Sequence, residues 1–226
     1  MFTEFSMIPD DEIIVLDDVI SPRFQDMVES WLLDPVSKWS FQKDIALADS
    51  VIEKLNLKTK PGFSKGFFNI KTGASDELWP MIVPLVSECF HKANIEFNEI
   101  LFSRSFLTLP VEGAGPNDFD HVHVDAPEEH MVCLYYANDA DGGDTVFFDH
   151  TVKQVLAQID LEKETTDLTG QALLEYLDGK INKKDWKVLH RVSPKKGRCV
   201  IFNGHRYHSA ARCQSGHRLI VNTCVR

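Results

Sequence analysis

Hydrophobic positions follow two regimes along this chain, helical in period before about residue 100 and strand-like after it. Glu12-Ile-Ile-Val-Leu16 reads as a short strand. Ser21-Pro22 is a helix start, with Ser21 as N-cap and Pro22 at the first helical position. That helix is predicted to run to about Leu33, where Asp34-Pro35 stops it, because the residue before a proline is pushed out of helical geometry. Ile45, Val51, Ile52 and Leu55 predict a second helix over 45–58. Residues 76–94 predict a third, amphipathic one, with Leu78, Met81, Ile82, Leu85, Val86 and Phe90 apolar and Pro84 either kinking it or marking its true first turn. Between these, 60–73 interleaves Lys60, Lys65 and Lys71 with Phe63, Phe67 and Phe68 among glycines. It reads as a surface segment with phenylalanines tucked inward or as a mobile flap.

The later half predicts eight short strands, at 101–109, 121–125, 131–136, 145–148, 186–192, 199–202, 207–209 and 219–225. Turn signals separate them at Gly113-Ala-Gly-Pro116, around Gly142-Gly143, at 194–197 and at Ser215-Gly216. Residues 152–179 break the pattern, since Val155, Leu156 and Ile159, then Leu173, Leu174 and Leu177, are spaced as one or two inserted helices. The fold class expected is mainly β with flanking helices, a two-sheet jelly roll. We read 1–226 as a single domain, with the strand and helices of 1–99 packing on a barrel formed by 100–226.

Composition narrows the function. A formal net charge of −10 and a pI near 5.3, with no long basic run, disfavour nucleic acid as a partner. Five cysteines, an odd number without a CxxC pair or a preceding secretory leader, read as reduced thiols of a cytoplasmic protein and as small buried hydrophobes. No apolar run approaches the roughly 20 residues of a membrane-spanning helix.

The candidate chemistry centres on Asp120-His-Val-His-Val-Asp125. On a strand His121, His123 and Asp125 share one face, with Val122 and Val124 on the other. A histidine and a carboxylate joined by a second histidine form the facial triad that holds Fe(II) and leaves three coordination positions open. His-x-Asp alone carries little weight, so order and context must decide. Downstream, Gly197-Arg-Cys-Val-Ile-Phe202 leads to His205-Arg-Tyr-His208, and Arg218 follows His208 by ten positions. His208 is preferred to His205 as the distant ligand, and His121 reads as a rim residue. His91, His130, His150, His190 and His217 read as surface or satisfied histidines. Gly115-x5-His121-x-His123-x4-Glu128 also has the spacing of a first cupin metal pattern, but its second pattern is missing after residue 190.

The order of His123-x-Asp125, Leu134-Tyr-Tyr-x-Asn138, Gly142-Gly-Asp-Thr145-x-Phe147, Pro194-Lys-Lys-Gly-Arg198 with Phe202, His208 and Arg218 resembles the prolyl-4-hydroxylase-like branch of the Fe(II)/2-oxoglutarate-dependent dioxygenases. The resemblance covers roughly 100–226 and implies a double-stranded β-helix. It also implies Fe(II), 2-oxoglutarate and O₂ as cofactor and co-substrates, with ascorbate as a supporting reductant. His123, Asp125 and His208 match the family's iron ligands and Arg218 the residue that grips the distal carboxylate of 2-oxoglutarate. The implied activity is hydroxylation of a prolyl or other residue of a protein or peptide, or alternatively of a free amino acid or small metabolite. Two departures stand out: the Arg-x-Ser of some members is Arg218-Leu-Ile220 here, and 101–109 lacks the tyrosine that many members use on the co-substrate. Tyr135, Thr145 and Asn222 are candidate contacts in its place. The ending Arg218-Leu-Ile-Val-Asn222-Thr-Cys-Val-Arg226 differs from the Arg-x-Asn-x-Thr-x-Arg of AlkB-type nucleic-acid demethylases.

Overall fold

The computed structural model describes residues 7–46, 61–115, 117–158, 170–180 and 186–226. In chain order the elements are β1 (Ile13–Leu16), α1 (Pro22–Leu32), β2 (Ser40–Gln42), β3 (Gly62–Asn69), β4 (Gly73–Ala74), α2 (Trp79–Ala93) and β5 (Ile100–Thr108). Then come β6 (Met131–Tyr136), β7 (Asp141–Gly142), β8 (Thr145–Thr151), α3 (Val152–Gln158), α4 (Gly170–Lys180) and β9 (Val188–Val192). The series closes with β10 (Cys199–Asn203), β11 (Arg206–Ala210), β12 (Cys213–Ser215) and β13 (Arg218–Val225).

All strand pairs are antiparallel. The main sheet runs β1-β10-β6-β13-β5-β3-β2, with β4 on β3; β11-β8-β9 form a smaller sheet and β12-β7 a two-stranded one. Strand alternation divides the side chains into layers. Met131, Cys133, Tyr135, Cys199, Ile201, Leu219 and Val221 point to the back of the main sheet, where Val28 and Leu32 of α1 and Ile82, Leu85, Val86, Cys89 and Phe90 of α2 cover them. Val132, Leu134, Tyr136, Val200, Phe202 and Ile220 point the other way and meet Phe147 and Val192 of the smaller sheet. The outer face of that sheet, with Val146 and Phe148, is covered by Val155 of α3 and Leu174 and Leu177 of α4. Because β6, β10 and β13 are buried on both faces, β6 reads in sequence as an unbroken apolar run and β10 and β13 as mostly apolar ones. Each fully buried large apolar side chain contributes on the order of 1.5–3 kcal/mol.

Local signals set both helix starts. Ser21 Oγ accepts from Phe24 N at 3.4 Å with Pro22 in the first turn. Pro80 occupies the first turn of α2 while Asp76 Oδ1 accepts from Leu78 N just before it, and Pro84 lies inside the helix. Asn94, left-handed at φ 55°, ends it. The expected helices at 76–94 and within 152–179 are present as α2, α3 and α4, but the helix expected over 45–58 lies mostly outside the described residues.

One expectation is narrowed and another corrected. Of the two readings of 60–73, the described residues do not fit the mobile flap, because Gly62–Asn69 pairs with both β5 and β2 inside the main sheet. Phe67 is fully buried and Lys65 is paired to Asp76 at 2.6 Å. Nor is 121–125 a strand; it makes one isolated bridge, His123 with His208.

Candidate metal centre

That bridge brings the central groups together. His123 N donates to His208 O and His208 N to His123 O, both at 3.0 Å, which sets the two side chains next to each other with ring centroids 4.8 Å apart. Asp125 lies two residues on, on the side of His123, while Val122 and Val124 go to the core under α3 and α4. Extended geometry thus delivers the alternation expected of a strand without a ladder. The segment is also held from behind: Ser209 Oγ donates to Asp120 O at 2.7 Å, and the Asp120 carboxylate pairs with Arg212 Nη2 at 2.7 Å with both side chains buried. Losing one partner of such a pair leaves an uncompensated charge in the wall.

One ligand atom from each of His123, Asp125 and His208 lies within 4.8 Å of the others. Both imidazoles are oriented by backbone carbonyls: His123 Nδ1 is 2.8 Å from His121 O and His208 Nδ1 3.0 Å from Arg206 O. An Nδ1–H donating to these carbonyls leaves the Nε2 lone pair for the site, the tautomer that a metal requires. Burial, then the neighbouring His208, draws the His123 imidazole down to about 3, so it is neutral at ordinary pH. For Asp125 burial pulls the other way, but hydrogen bonding to His208 and the charges of His208 and Arg104 outweigh it and hold the carboxylate well below its usual range. A neutral His123 imidazole, the His208 ring and one carboxylate, preorganised and close, suit a divalent first-row ion.

The carboxylate has two further partners that the sequence reading did not name together. Asn222 Nδ2 donates to Asp125 Oδ2 at 3.1 Å, and Arg104 Nη2 donates to Oδ1 at 2.8 Å. Arg104 was missed, although a signal existed: alternation along β5 sets it on one face with Phe102 and Phe106, a charge in an apolar row. Its guanidinium lies 5.0 and 4.9 Å from those two ring centroids.

These groups line a cleft whose wall also includes Thr145, Ser209, Arg218 and Ile220. Arg218 is 2% exposed and lies over the Tyr136 ring at 5.5 Å. Its Nη2 donates to Thr145 Oγ1 at 3.1 Å, its Nε has no acceptor, and among the described residues no carboxylate pairs with it. A buried guanidinium without a counter-anion is costly unless a ligand supplies one. Gly143, at φ 78°, makes the space, since a Cβ there would stand 2.8 Å from Arg218 Cδ.

Of the remaining expected residues, Thr145 and Asn222 line the cleft and Tyr135 does not. Tyr135 sits among the residues under α1 and α2, and Tyr136 is the tyrosine beneath Arg218, because neighbours on a strand face opposite ways. His205 is directed elsewhere, with Nε2 3.1 Å from Pro127 O. His121 is at the rim, 3.6 Å from Asp44. Glu128 is exposed, so the cupin-type set of His121, His123 and Glu128 is not assembled. All five cysteines are buried and free, and no described helix is long and apolar enough to cross a membrane.

No protein-family model and no curated protein matches this sequence. Solved structures do match it in shape. An oxidoreductase of the 2OG-Fe(II) oxygenase family from Burkholderia pseudomallei aligns at TM-score 0.57 and 10% identity, over 94% of this chain and 84% of its own. The non-haem alpha-ketoglutarate-dependent epimerase SnoN from nogalamycin biosynthesis aligns at 0.58 and 13%, over 96% and 76%. A prolyl hydroxylase from Trichoplax adhaerens, in complex with a hypoxia inducible factor oxygen degradation domain peptide fragment, aligns at 0.51 and 12%, over 94% and 82%. The chain therefore has an antiparallel jelly-roll fold similar to that of the 2OG-Fe(II) oxygenases, with the His123, Asp125 and His208 cluster in its cleft.

Proposed function

We propose that this protein is an Fe(II)- and 2-oxoglutarate-dependent dioxygenase with a double-stranded β-helix core, and that it hydroxylates an unactivated C–H bond of a protein or peptide residue, proline foremost. The observation that carries the reading is the pairing, in one cleft, of a His-Asp-His set with a buried arginine that lacks an anion. His123, Asp125 and His208 would hold the iron, and Arg218 the distal carboxylate of 2-oxoglutarate, with Thr145 beside it. Bound there, iron and 2-oxoglutarate supply oxidative chemistry that couples decarboxylation to succinate with insertion of oxygen into the substrate.

The chain's own side chains prepare that chemistry by position and charge. Asn222 and Arg104 each take one Asp125 oxygen and fix the plane of the carboxylate. The planar fork of Arg218 matches the two oxygens of a carboxylate. Ile45, Phe106, Leu134 and Ile220 give the cleft apolar walls, which strengthen each of these contacts. Five buried, unpaired thiols suit the reducing environment of a cytoplasm.

Incubation with Fe(II), ascorbate, O₂ and 2-oxoglutarate, measuring succinate with and without proline-containing peptides, tests the proposal. Succinate that rises with a peptide, together with a mass gain of one oxygen on it, is the expected result. Stimulation by free amino acids alone would transfer the activity to small molecules, and no succinate under any condition would remove it. A narrower expectation concerns Gly143. Gly143→Ala forces a Cβ into the Arg218 side chain at a left-handed position, so 2-oxoglutarate affinity should fall by about tenfold or more while metal affinity is kept. Parallel titrations of the two ligands check this.

A further inference from the structure

Behind the main sheet, on the side away from the cleft, three thiols from three separate elements converge. Cys89 comes from α2, Cys133 from β6 and Cys199 from β10. The register that sets Ile201 opposite Cys133 and Cys199 opposite Tyr135 places the two strand cysteines diagonally on one face, and the buried face of α2 brings Cys89 on to them. Sγ of Cys133 and Sγ of Cys199 are 3.5 Å apart, and all three sulfurs lie within 4.8 Å of one another. None of the three residues is more than 2% exposed. Cys213 and Cys224 are buried as well, yet they join no such group.

The geometry suits one class of ligand. Metal–thiolate bonds of about 2.3 Å in a trigonal arrangement put the sulfurs about 4 Å apart, within the spread observed here. The cluster contains sulfur alone, and no histidine or carboxylate among the described residues joins it. Soft thiolates favour Cu(I) over harder ions, and Zn(II), which prefers four donors in a structural site, finds only three. Tyr135 shares the face, but burial keeps its hydroxyl protonated and so unsuited as a fourth ligand.

We propose that Cys89, Cys133 and Cys199 form a trigonal, sulfur-only site for a soft monovalent cation, Cu(I) by preference, which ties α2 to the centre of the main sheet. The thiolate is the ligating form, so the ion enters by displacing thiol protons to solvent.

The test uses the full chain, reduced and anaerobic, titrated with Cu(I) delivered as its bicinchoninate complex, whose colour fades as the ion moves to a tighter site. One Cu(I) per chain is expected, with a shell of three sulfurs at a single distance in X-ray absorption and a higher thermal midpoint. Cys89→Ala should lose that uptake, whereas Cys224→Ala and the double variant His123→Ala/His208→Ala should keep it. Absence of uptake by the wild type, nitrogen or oxygen in the shell, or equal uptake by Cys89→Ala overturns the proposal. A Cys133–Cys199 disulfide in chain purified under reducing conditions also overturns it. If Cys89→Ala does not fold, the wild-type absorption spectrum decides, since a mixed or two-sulfur shell contradicts the site without any variant.

Discussion

Replacing His123, Asp125 or His208 by alanine is expected to weaken Mn(II) binding, a redox-inert stand-in for Fe(II), by more than about 100-fold. Each loss removes one of the three donors that, among the described residues, lie within 4.8 Å of one another in the cleft. The neighbours make the comparison informative. Asn222→Ala and Arg104→Ala leave all three donors in place and free the Asp125 carboxylate to turn, and outer partners of this kind are typically worth 10–100-fold. Isothermal titration of the apo-protein should therefore give two tiers, the donor variants below the neighbour variants. His121→Ala and Glu128→Ala should match the wild type. Wild-type binding in His208→Ala combined with loss in His121→Ala would replace the triad with a cupin-like set.

The second large effect belongs to Arg218. Arg218→Ala should leave metal affinity unchanged and cost 2-oxoglutarate on the order of 2–5 kcal/mol, the usual loss when one partner of a buried, hydrogen-bonded charge pair is removed. In affinity that is roughly 30-fold to several thousandfold. Arg218→Lys keeps the charge without the fork and should fall between. Anaerobic titration of 2-oxoglutarate into the Fe(II) protein, followed by its metal-to-ligand charge-transfer band, measures both variants. An unchanged dissociation constant in Arg218→Ala would reduce Arg218 to a structural cation over Tyr136, and no band in the wild type would remove 2-oxoglutarate from the site.

Much of this site could be read before any coordinates, for reasons that differ residue by residue. Strands buried on both faces announce themselves as apolar runs, Met131–Tyr136 without a break and Arg218–Val225 for the most part, with Arg218 conspicuous at the head of the latter. His123 and Asp125 depend only on the alternation of extended chain, which survives although 121–125 forms no ladder. The misses arose where long-range pairing overrides local preference. Gly62–Asn69, with two glycines and a lysine, has poor strand character of its own and is extended because β5 and β2 flank it. The candidate Tyr135 is one residue out of phase with Tyr136 beneath Arg218, a phase that a run apolar on both faces does not disclose. Arg104 and the Asp120–Arg212 pair needed partners distant in the sequence, at Asp125 and across the cleft wall.

The position of β13 carries a consequence for how the protein is made. It lies between β5 and β6 at the centre of the main sheet, all eight residues are buried, and it follows both neighbours in the chain. During synthesis β5 and β6 therefore emerge with facing edges that have nothing to pair with until Arg218–Val225 leaves the ribosome. Until then the nascent chain presents open strand edges and apolar faces, the features that invite mispairing and chaperone capture. Closure through such distant contacts also predisposes the domain to slow folding. The same late strand carries Arg218 and Asn222, so a chain stalled before it would lack the central seam of its sheet and these two residues of its cleft together.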